Sequence, residues 1–310
     1  MRYVLGFDGG GTKTDCILMD EQQRVLARAR SGPSNPYRVG AKAALTALQE
    51  GANRAGADAQ VSGSSVAALC AGLAGVGHPA LCDEMRALLS NAFRNAAVKV
   101  CTDLELALEA AGHGPAVVLV AGTGSCAVAR NSEGQTFRAG GPGPQIGDEG
   151  SAYDVGRRAL QASLRERDRT GEDCPLGRSI VTRLSYGSWE EIRRRAAVAP
   201  DQVFPRVFPI ITAAAEENDE LARILLRDAA RELAALVRIV AIRAGLQGTS
   251  FLIAKTGGML GRSPFLDAQL DRELRESEPQ ARVGALPMAP AEAAARLALG
   301  LLSPAGAAGN

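Results

Sequence analysis

Tyr3-Val-Leu-Gly-Phe-Asp8-Gly-Gly-Gly-Thr-Lys-Thr14-Asp-Cys-Ile-Leu-Met-Asp20 is the stretch on which the fold turns. An apolar run ends in an acid, and three consecutive glycines follow. After Thr12, Lys13 and Thr14 a second apolar run begins, Cys16 to Met19. Each run has the length of a strand, and the glycines mark the turn between them. Gly9, Gly10 and Gly11 carry no Cβ, so the turn is open to φ > 0 and to close approach by a ligand. A row of backbone N–H groups in such a turn cradles an anion. Lys13 and the hydroxyls of Thr12 and Thr14 add a charge and further donors. Asp8 conflicts with a bare polyphosphate, because like charges ~4 Å apart repel by about 4 kcal/mol at an effective dielectric of ~20. A bridging cation removes the conflict, since Mg²⁺ is held by one or two carboxylates plus phosphate oxygens. The stretch reads as a site for a metal-bound nucleotide with Asp8 at the metal. The bland alternative, a glycine-rich hairpin with a surface acid, leaves three glycines unexplained. Gly6 and Gly11 have P-loop spacing, but Thr12-Lys13 stands where that motif has Gly-Lys-Ser/Thr. No G-x-G-x-x-G opens a helix here either.

Working outward, the same pattern returns. Pro115 to Ala121 is an apolar strand, Gly122-Thr123-Gly124-Ser125 a second glycine and hydroxyl turn, and Cys126 to Arg130 the returning strand. The repetition suggests two related halves facing one nucleotide. A third glycine turn, Lys255-Thr-Gly257-Gly258, follows the strand Ser250 to Ala254. Arg24 to Arg30, Ser65 to Ala71 and Ala97 to Cys101 are further strands. Helical spacing runs over Tyr37 to Ala55, Pro79 to Phe93, Ala152 to Glu166, Pro264 to Glu276 and Ala289 to Leu302. Residues 150–246 are mostly helical, the longest run being Glu216 to Gly245. Ser303 to Asn310 reads as a disordered tail. Strands and helices alternate in the α/β manner after an opening meander.

Three positions carry open alternatives. Asp103 lies where the strand ending at Cys101 gives way to the helix Leu104 to Ala110, and the alternatives are that Thr102 or Asp103 caps that helix or that Asp103 is a general base at a strand's carboxyl end. Asn35, in the Ser31 to Pro36 loop, either caps the next helix or binds a hydroxyl-rich ligand. Gly140 to Ser151 is a long Gly/Pro loop whose Asp148 or Glu149 either caps the following helix or accepts from substrate hydroxyls.

The whole chain sets the bounds. Its 310 residues allow two domains. The net charge of +1 argues against nucleic-acid or membrane partners. No apolar run is long enough to span a bilayer and no signal peptide is evident, so a cytoplasmic protein is expected. The six cysteines form no C-x-x-C pair, and the four within apolar runs read as buried thiols. His78 and His113, the two histidines, have no partner at ligand spacing, so acid–base chemistry falls to carboxylates. Arg165 to Arg169 and Glu190 to Arg195 read as solvated helix faces, and Trp189 as a packing anchor.

Asp8 to Thr14, Thr102-Asp103, Gly122 to Ser125, Gly147 to Ala152 and Thr256 to Gly258 occur in the order and spacing of a known family. The chain resembles the N-acetylglucosamine kinases, grouped with the BadF/BadG/BcrA/BcrD-type ATPases in the actin–hexokinase superfamily, from residue 2 to about 302. That resemblance implies an α/β fold of two actin/hexokinase-like (ribonuclease H-like) domains flanking a nucleotide and sugar cleft. The domains would be 1–112 with a returning helix 290–303, and 113–289, followed by a tail 304–310. It implies that Gly9 to Lys13 and Gly122 to Gly124 hold the phosphates of MgATP and that Gly257 and Gly258 lie against the adenosine. Asp103 would be the general base, and Asn35, Asp103, Ser125, Gly141, Pro142, Gly143 and Asp148 would line the site of a small sugar. The relatives are usually homodimers. Animal members carry tryptophan where this chain has Pro142, which leaves the preference among N-acetylglucosamine, glucosamine, N-acetylmuramate and glucose open. The zinc-binding cysteine cluster of ROK-type sugar kinases is absent.

The expected activity is an ATP-dependent sugar kinase, because phosphoryl transfer is positioning plus charge neutralisation, and glycine loops, Mg²⁺ and one carboxylate suffice. The alternative is an ATPase activator of a CoA-ester reductase or dehydratase, which would bind an iron–sulfur cluster through cysteines. A sugar-sensing regulator ranks last, since no DNA-binding helices precede the first strand.

Overall fold

The computed structural model describes residues 2–302, and the tail expected over Ser303 to Asn310 lies outside the described residues. The chain forms two compact units, one within Met1–His113 and Leu286–Asn310, the other within Gly114–Ala285.

In the first unit β1 (Tyr3–Gly9), β2 (Thr14–Asp20) and β3 (Val25–Ser31) make an antiparallel meander. The helix expected over Tyr37 to Ala55 is two, α1 (Pro36–Val39) and α2 (Ala41–Ala59). Gly40 separates them at φ 83°, a left-handed backbone that only glycine adopts without strain. β4 (Val66–Leu73), α3 (Pro79–Ala92), β5 (Ala97–Thr102) and α4 (Asp103–Ala110) complete the order β3-β2-β1-β4-β5, with β4 and β5 parallel to β1. Strand alternation sorts the core into two faces. Leu5, Phe7, Leu18, Leu69 and Ala71 are buried with Leu48 of α2 and Met85 and Leu89 of α3. Val4, Ile17, Met19, Ala68 and Cys70 are buried on the other face with Leu106 and Ala110 of α4.

The second unit repeats the plan. β6 (Ala116–Ala121), β7 (Ser125–Arg130) and β8 (Thr136–Gly140) form the meander. The helices α5 (Ala152–Thr170), α6 (Pro175–Arg183), α7 (Trp189–Val198), α8 (Pro200–Glu216) and α9 (Glu220–Arg243) follow. β9 (Leu252–Thr256), α10 (Pro264–Ser277) and β10 (Arg282–Ala285) close the order β10-β9-β6-β7-β8, parallel at β6, β9 and β10. The long helix expected from Glu216 begins instead at Glu220, because Asn218 turns left-handed (φ 67°) and Asp219 caps the N–H of Ala222 at 2.9 Å. β10 was not foreseen. Its four residues include a glycine, and its pairing to β9 makes it a strand. Trp189 is a packing residue as expected, buried, with its indole N–H donating to Asp173 at 2.8 Å.

The final helix, α11 (Pro290–Gly300), belongs to the first unit. It lies directly on β1, since a Cβ on Gly6 would come within 2.2 Å of Ala291 O and Ala295 N. Its alanines at 291, 294, 295 and 298 fill the face of Val4 and Ile17.

Candidate functional site

In the first unit the three parallel strands end level, Gly9 opposite Leu73 and Leu73 opposite Thr102. Their carboxyl ends bring Asp8, the glycine turn and Asp103 to one edge of the sheet, where open α/β sheets hold ligands. The Asp8 carboxyl is pushed up to about 6, by burial first and then by the charges of Asp103 and Asp15, against the opposing pull of Lys13. Thr102 caps α4: its hydroxyl accepts from the Glu105 N–H at 3.1 Å, and Glu105 accepts from the Thr102 N–H at 2.7 Å. Capping is therefore the work of Thr102 and Glu105, and Asp103 is the first residue of the helix.

The glycine turn is pinned from behind. Gly10 N–H donates to Lys13 O at 2.9 Å, Gly10 O accepts from the N–H groups of Ser34 and Asn35 at 3.0 and 3.1 Å, and Gly9 O accepts from Ala74 N–H at 2.8 Å. Gly9, Gly10 and Gly11 all keep negative φ, which corrects the expectation that the turn uses φ > 0. Close packing requires glycine at Gly9 and crowds Gly11, while at Gly10 a Cβ would meet only Lys13 O at 3.6 Å. A Cβ on Gly9 would lie 2.2 Å from Ser34 Oγ, and one on Gly11 would lie 3.1 Å from Arg38 Nη1. Thr14 is buried, and its hydroxyl donates to Gly32 O at 2.7 Å beside Ser34 Oγ at 2.6 Å, so it supports the turn from inside. Gly11, Thr12 and Lys13 are exposed. Lys13 reaches Asp15 at 2.5 Å, and Arg30 reaches it at 2.7 Å. Burial pushes Asp15 up, but these two hydrogen bonds outweigh it and hold the carboxyl below its ordinary value. Asn35 caps α1, its Oδ1 accepting from the N–H groups of Tyr37 and Arg38 at 3.0 and 3.2 Å. Gly75 presses against that same oxygen, with no room for a Cβ.

In the second unit the Gly122 to Ser125 turn sits on the start of α5. Gly122 N–H donates to Gly124 O, and Gly122 O accepts from Ala152 N–H, both at 2.9 Å. Ser151 caps that helix by accepting from Asp154 N–H at 3.2 Å, so neither Asp148 nor Glu149 is the cap. The third glycine turn adjoins the second. Gly257 takes φ 116°, a Cβ there would lie 2.2 Å from Ala121 O, and Met259 N–H donates to that carbonyl at 3.1 Å. One on Gly122 would lie 3.5 Å from Gly258 N.

Asp148 is the strained member of this unit. It is buried at φ 63°, and its Oδ1 has no hydrogen-bond partner. Burial pushes its carboxyl up, against the pull of the Gly143 and Ser125 N–H groups. A Cβ on Gly124 would lie 2.5 Å from its Oδ2. Ser125 donates its hydroxyl to Glu149 O at 2.7 Å and so holds the segment that carries Asp148. Gly141 (φ 74°) and Gly143 (φ 106°) bend the loop, and the exposed Pro142 leans on Gly147. Arg138 donates to Gly140 O at 3.2 Å and Gly141 O at 2.6 Å. Sequence reading missed Arg138, Ser34 and Gly75. Their roles depend on contacts with distant turns, which no local spacing reports.

Each unit thus holds a pinned glycine turn at the carboxyl end of its first strand. The first adds two facing acids, and the second adds an adjoining glycine turn and a buried acceptor without a partner. Among the described residues no three His, Cys, Asp or Glu side chains gather as a metal cage. The half-buried Asp8, raised by its acidic neighbours, is instead the donor that suits a divalent ion shared with phosphate oxygens. No helix among the described residues is long and apolar enough to cross a membrane.

The family model of the BadF/BadG/BcrA/BcrD ATPase family matches residues 5–295. The N-acetylmuramic acid/N-acetylglucosamine kinase of Clostridium acetobutylicum is 29% identical over 296 residues, covering 91% of this chain and 94% of its own length. The N-acetyl-D-glucosamine kinase of Dictyostelium discoideum is 29% identical over 314 residues, covering 95% and 97%. Among solved structures, a candidate N-acetylglucosamine kinase from Chromobacterium violaceum superposes with a TM-score of 0.79 at 26% identity, covering 98% of this chain and 99% of that one.

Proposed function

Because the chain belongs to the BadF/BadG/BcrA/BcrD ATPase family, we propose that it is an ATP-dependent carbohydrate kinase. It transfers the γ-phosphoryl group to a hydroxyl of N-acetylglucosamine or a related amino sugar or hexose, a reading supported by the two kinase relatives. The observation that carries it is the placement of Asp8 and Asp103 on one strand edge beside the pinned Gly9 to Thr12 turn.

In the first unit Gly9 to Thr12 and Lys13 receive phosphate oxygens, and Asp103 takes the proton of the sugar hydroxyl as it attacks. Asp8 would hold Mg²⁺, which neutralises phosphate charge when bound. Asn35 spends its carbonyl oxygen on α1, so its amide NH₂ is the part that faces a hydroxyl acceptor. In the second unit Gly122, Thr123 and Gly124 receive phosphate, and Gly257 and Gly258 lie against the nucleoside. Asp148 accepts a sugar hydroxyl on its unpartnered Oδ1, with Ser125 and the Gly141, Pro142 and Gly143 loop shaping that pocket. Pro142 offers less surface to an acyl group than an indole does. A cytoplasmic homodimer completes the proposal, and sedimentation analysis tests the dimer.

A coupled ADP-release assay across N-acetylglucosamine, N-acetylmuramic acid, glucosamine and glucose is the test. Sugar-dependent release is expected with one or more, and Asp103→Asn should lower kcat by about 10²–10⁴-fold with an unchanged unfolding midpoint. A variant as fast as the parent would remove Asp103 from the chemistry.

A further inference from the structure

A groove of about 580 Å³ lies at the amino ends of β4 and β5, on the first unit. One wall is the outer side of α2, a second is Gly63 to Val66 where β4 begins, and the third is the end of α3 and the turn into β5. β4 is eight residues long, so at ~3.3 Å per residue the groove stands about 23 Å from the strand ends that carry Asp8 and Asp103. Its walls are tied together. The Asn95 amide donates to Ser64 O at 3.5 Å, Ser64 N–H donates to Ser62 Oγ at 3.4 Å, and Ala96 N–H donates to Phe93 O at 2.9 Å.

Carboxamides dominate the lining: Gln49, Asn53, Asn91 and Asn95, with Ser64 beside them. Among the described residues, the amides of Gln49, Asn53 and Asn91 find no hydrogen-bond partner in the chain. Each carboxamide offers two donors and a carbonyl acceptor, which matches neighbouring hydroxyls that donate and accept in turn. One acid, Glu50, and one base, Arg94, leave the lining neutral, so it favours neither an anion nor a cation. The half-buried Phe93 adds apolar surface for the C–H face of a ring. An apolar ligand would strip water from the amides without pairing them, which is costly. The volume is that of a small-molecule site.

We propose that this groove is an accessory binding site for a neutral saccharide, separate from the strand edge assigned to phosphoryl transfer. The carboxamides pair with ring hydroxyls, and Phe93 meets the less polar face of the ring. The site does not depend on the kinase reading, since it uses none of the residues assigned to that reaction.

NMR of the full-length, isotope-labelled protein tests this, because side-chain NH₂ signals report on the groove directly. N-acetylglucosamine, glucose and inorganic phosphate are the probes. The NH₂ signals of Gln49, Asn53 and Asn91 should shift saturably with at least one sugar and stay in place with phosphate. Asn53 and Asn91 are exposed, so Asn53→Ala combined with Asn91→Ala should fold as the parent does. In that variant the half-saturating sugar concentration, read at Gln49, should rise about tenfold or more, with sugar-dependent ADP release unchanged. Signals that stay put, or drift linearly without saturating, overturn the proposal and leave the amides merely hydrated. A shift with phosphate alone overturns it in favour of an anion site at Arg94. A fall in ADP release that parallels the lost binding overturns the separation of the two sites. If the parent releases no ADP with any sugar while these signals still shift, the kinase reading falls and the accessory site stands.

Discussion

Asp148 combines left-handed backbone, burial and an unpartnered carboxylate oxygen. Strain and desolvation of that sort persist where a ligand repays them. Asparagine tolerates the same backbone region and carries no charge, so Asp148→Asn separates folding from binding. Its sugar KM should rise by about 10–100-fold, the worth of one hydrogen bond to a charged acceptor. The stability effect has the opposite sign. Burial lifts the folded carboxyl above its ordinary value of 3.8, so over that window the native state holds a proton that the unfolded chain has released. Native stability therefore falls as pH rises from 3.8 through the folded value, and is level above it. Asp148→Asn lacks this slope, so its urea midpoint should overtake the parent's as pH rises across that window. Equal midpoints at every pH would refute the burial argument. Asp148 stood out in its sequence context as a cap or an acceptor of hydroxyls, but its orphaned oxygen was not legible there, because burial is set by residues distant in the chain.

Elements position these groups through close contacts. The Thr102 and Glu105 box fixes the first turn of α4, and with it the backbone of Asp103. Thr102→Ala should cost about 1 kcal/mol in stability, read from urea unfolding, and should lower kcat with no change in nucleotide affinity. Gly72 and Gly6 do related work: a Cβ on Gly72 would come within 2.4 Å of Leu106, and one on Gly6 within 2.2 Å of the α11 backbone. Of the two, Gly6→Ala should be the more damaging, at about 1–3 kcal/mol or more, because backbone yields less readily than a leucine side chain. Periodicity found most elements; its failures were two local backbone breaks and one strand that depends on its neighbour. Gly40 and Asn218 break helices at left-handed residues, and β10 owes its strand state to its neighbour β9.

At the scale of the molecule, one strand order serves both units, a meander followed by parallel strands. Each unit therefore ends its first strand in a glycine turn backed by pairing on both sides. The first unit is built from both ends of the chain. Truncation after Ala285 should strip α11 from β1, expose Val4 and Ile17, and unfold the first unit. The second unit should keep its helical circular dichroism signal, and a fully folded truncated protein would show that α11 is dispensable. In the intact protein, MgATP at ~100 times its Kd should add about 2.7 kcal/mol of stability, seen as a rise in Tm. No rise with magnesium nucleotide would contradict the nucleotide site.

The sequence by itself determined the α/β class, the repeated strand–turn–strand plan, the glycine turns and the acids beside them, because strand alternation and glycine punctuation are local properties of the chain. Tertiary structure alone decided why Gly9 must be glycine, against Ser34, and that Asp148 is left with a buried oxygen unpaired. It also brought Arg38 against Gly11. Each of these depends on the approach of segments far apart in sequence, and contact distance, unlike periodicity, is set only when the core closes.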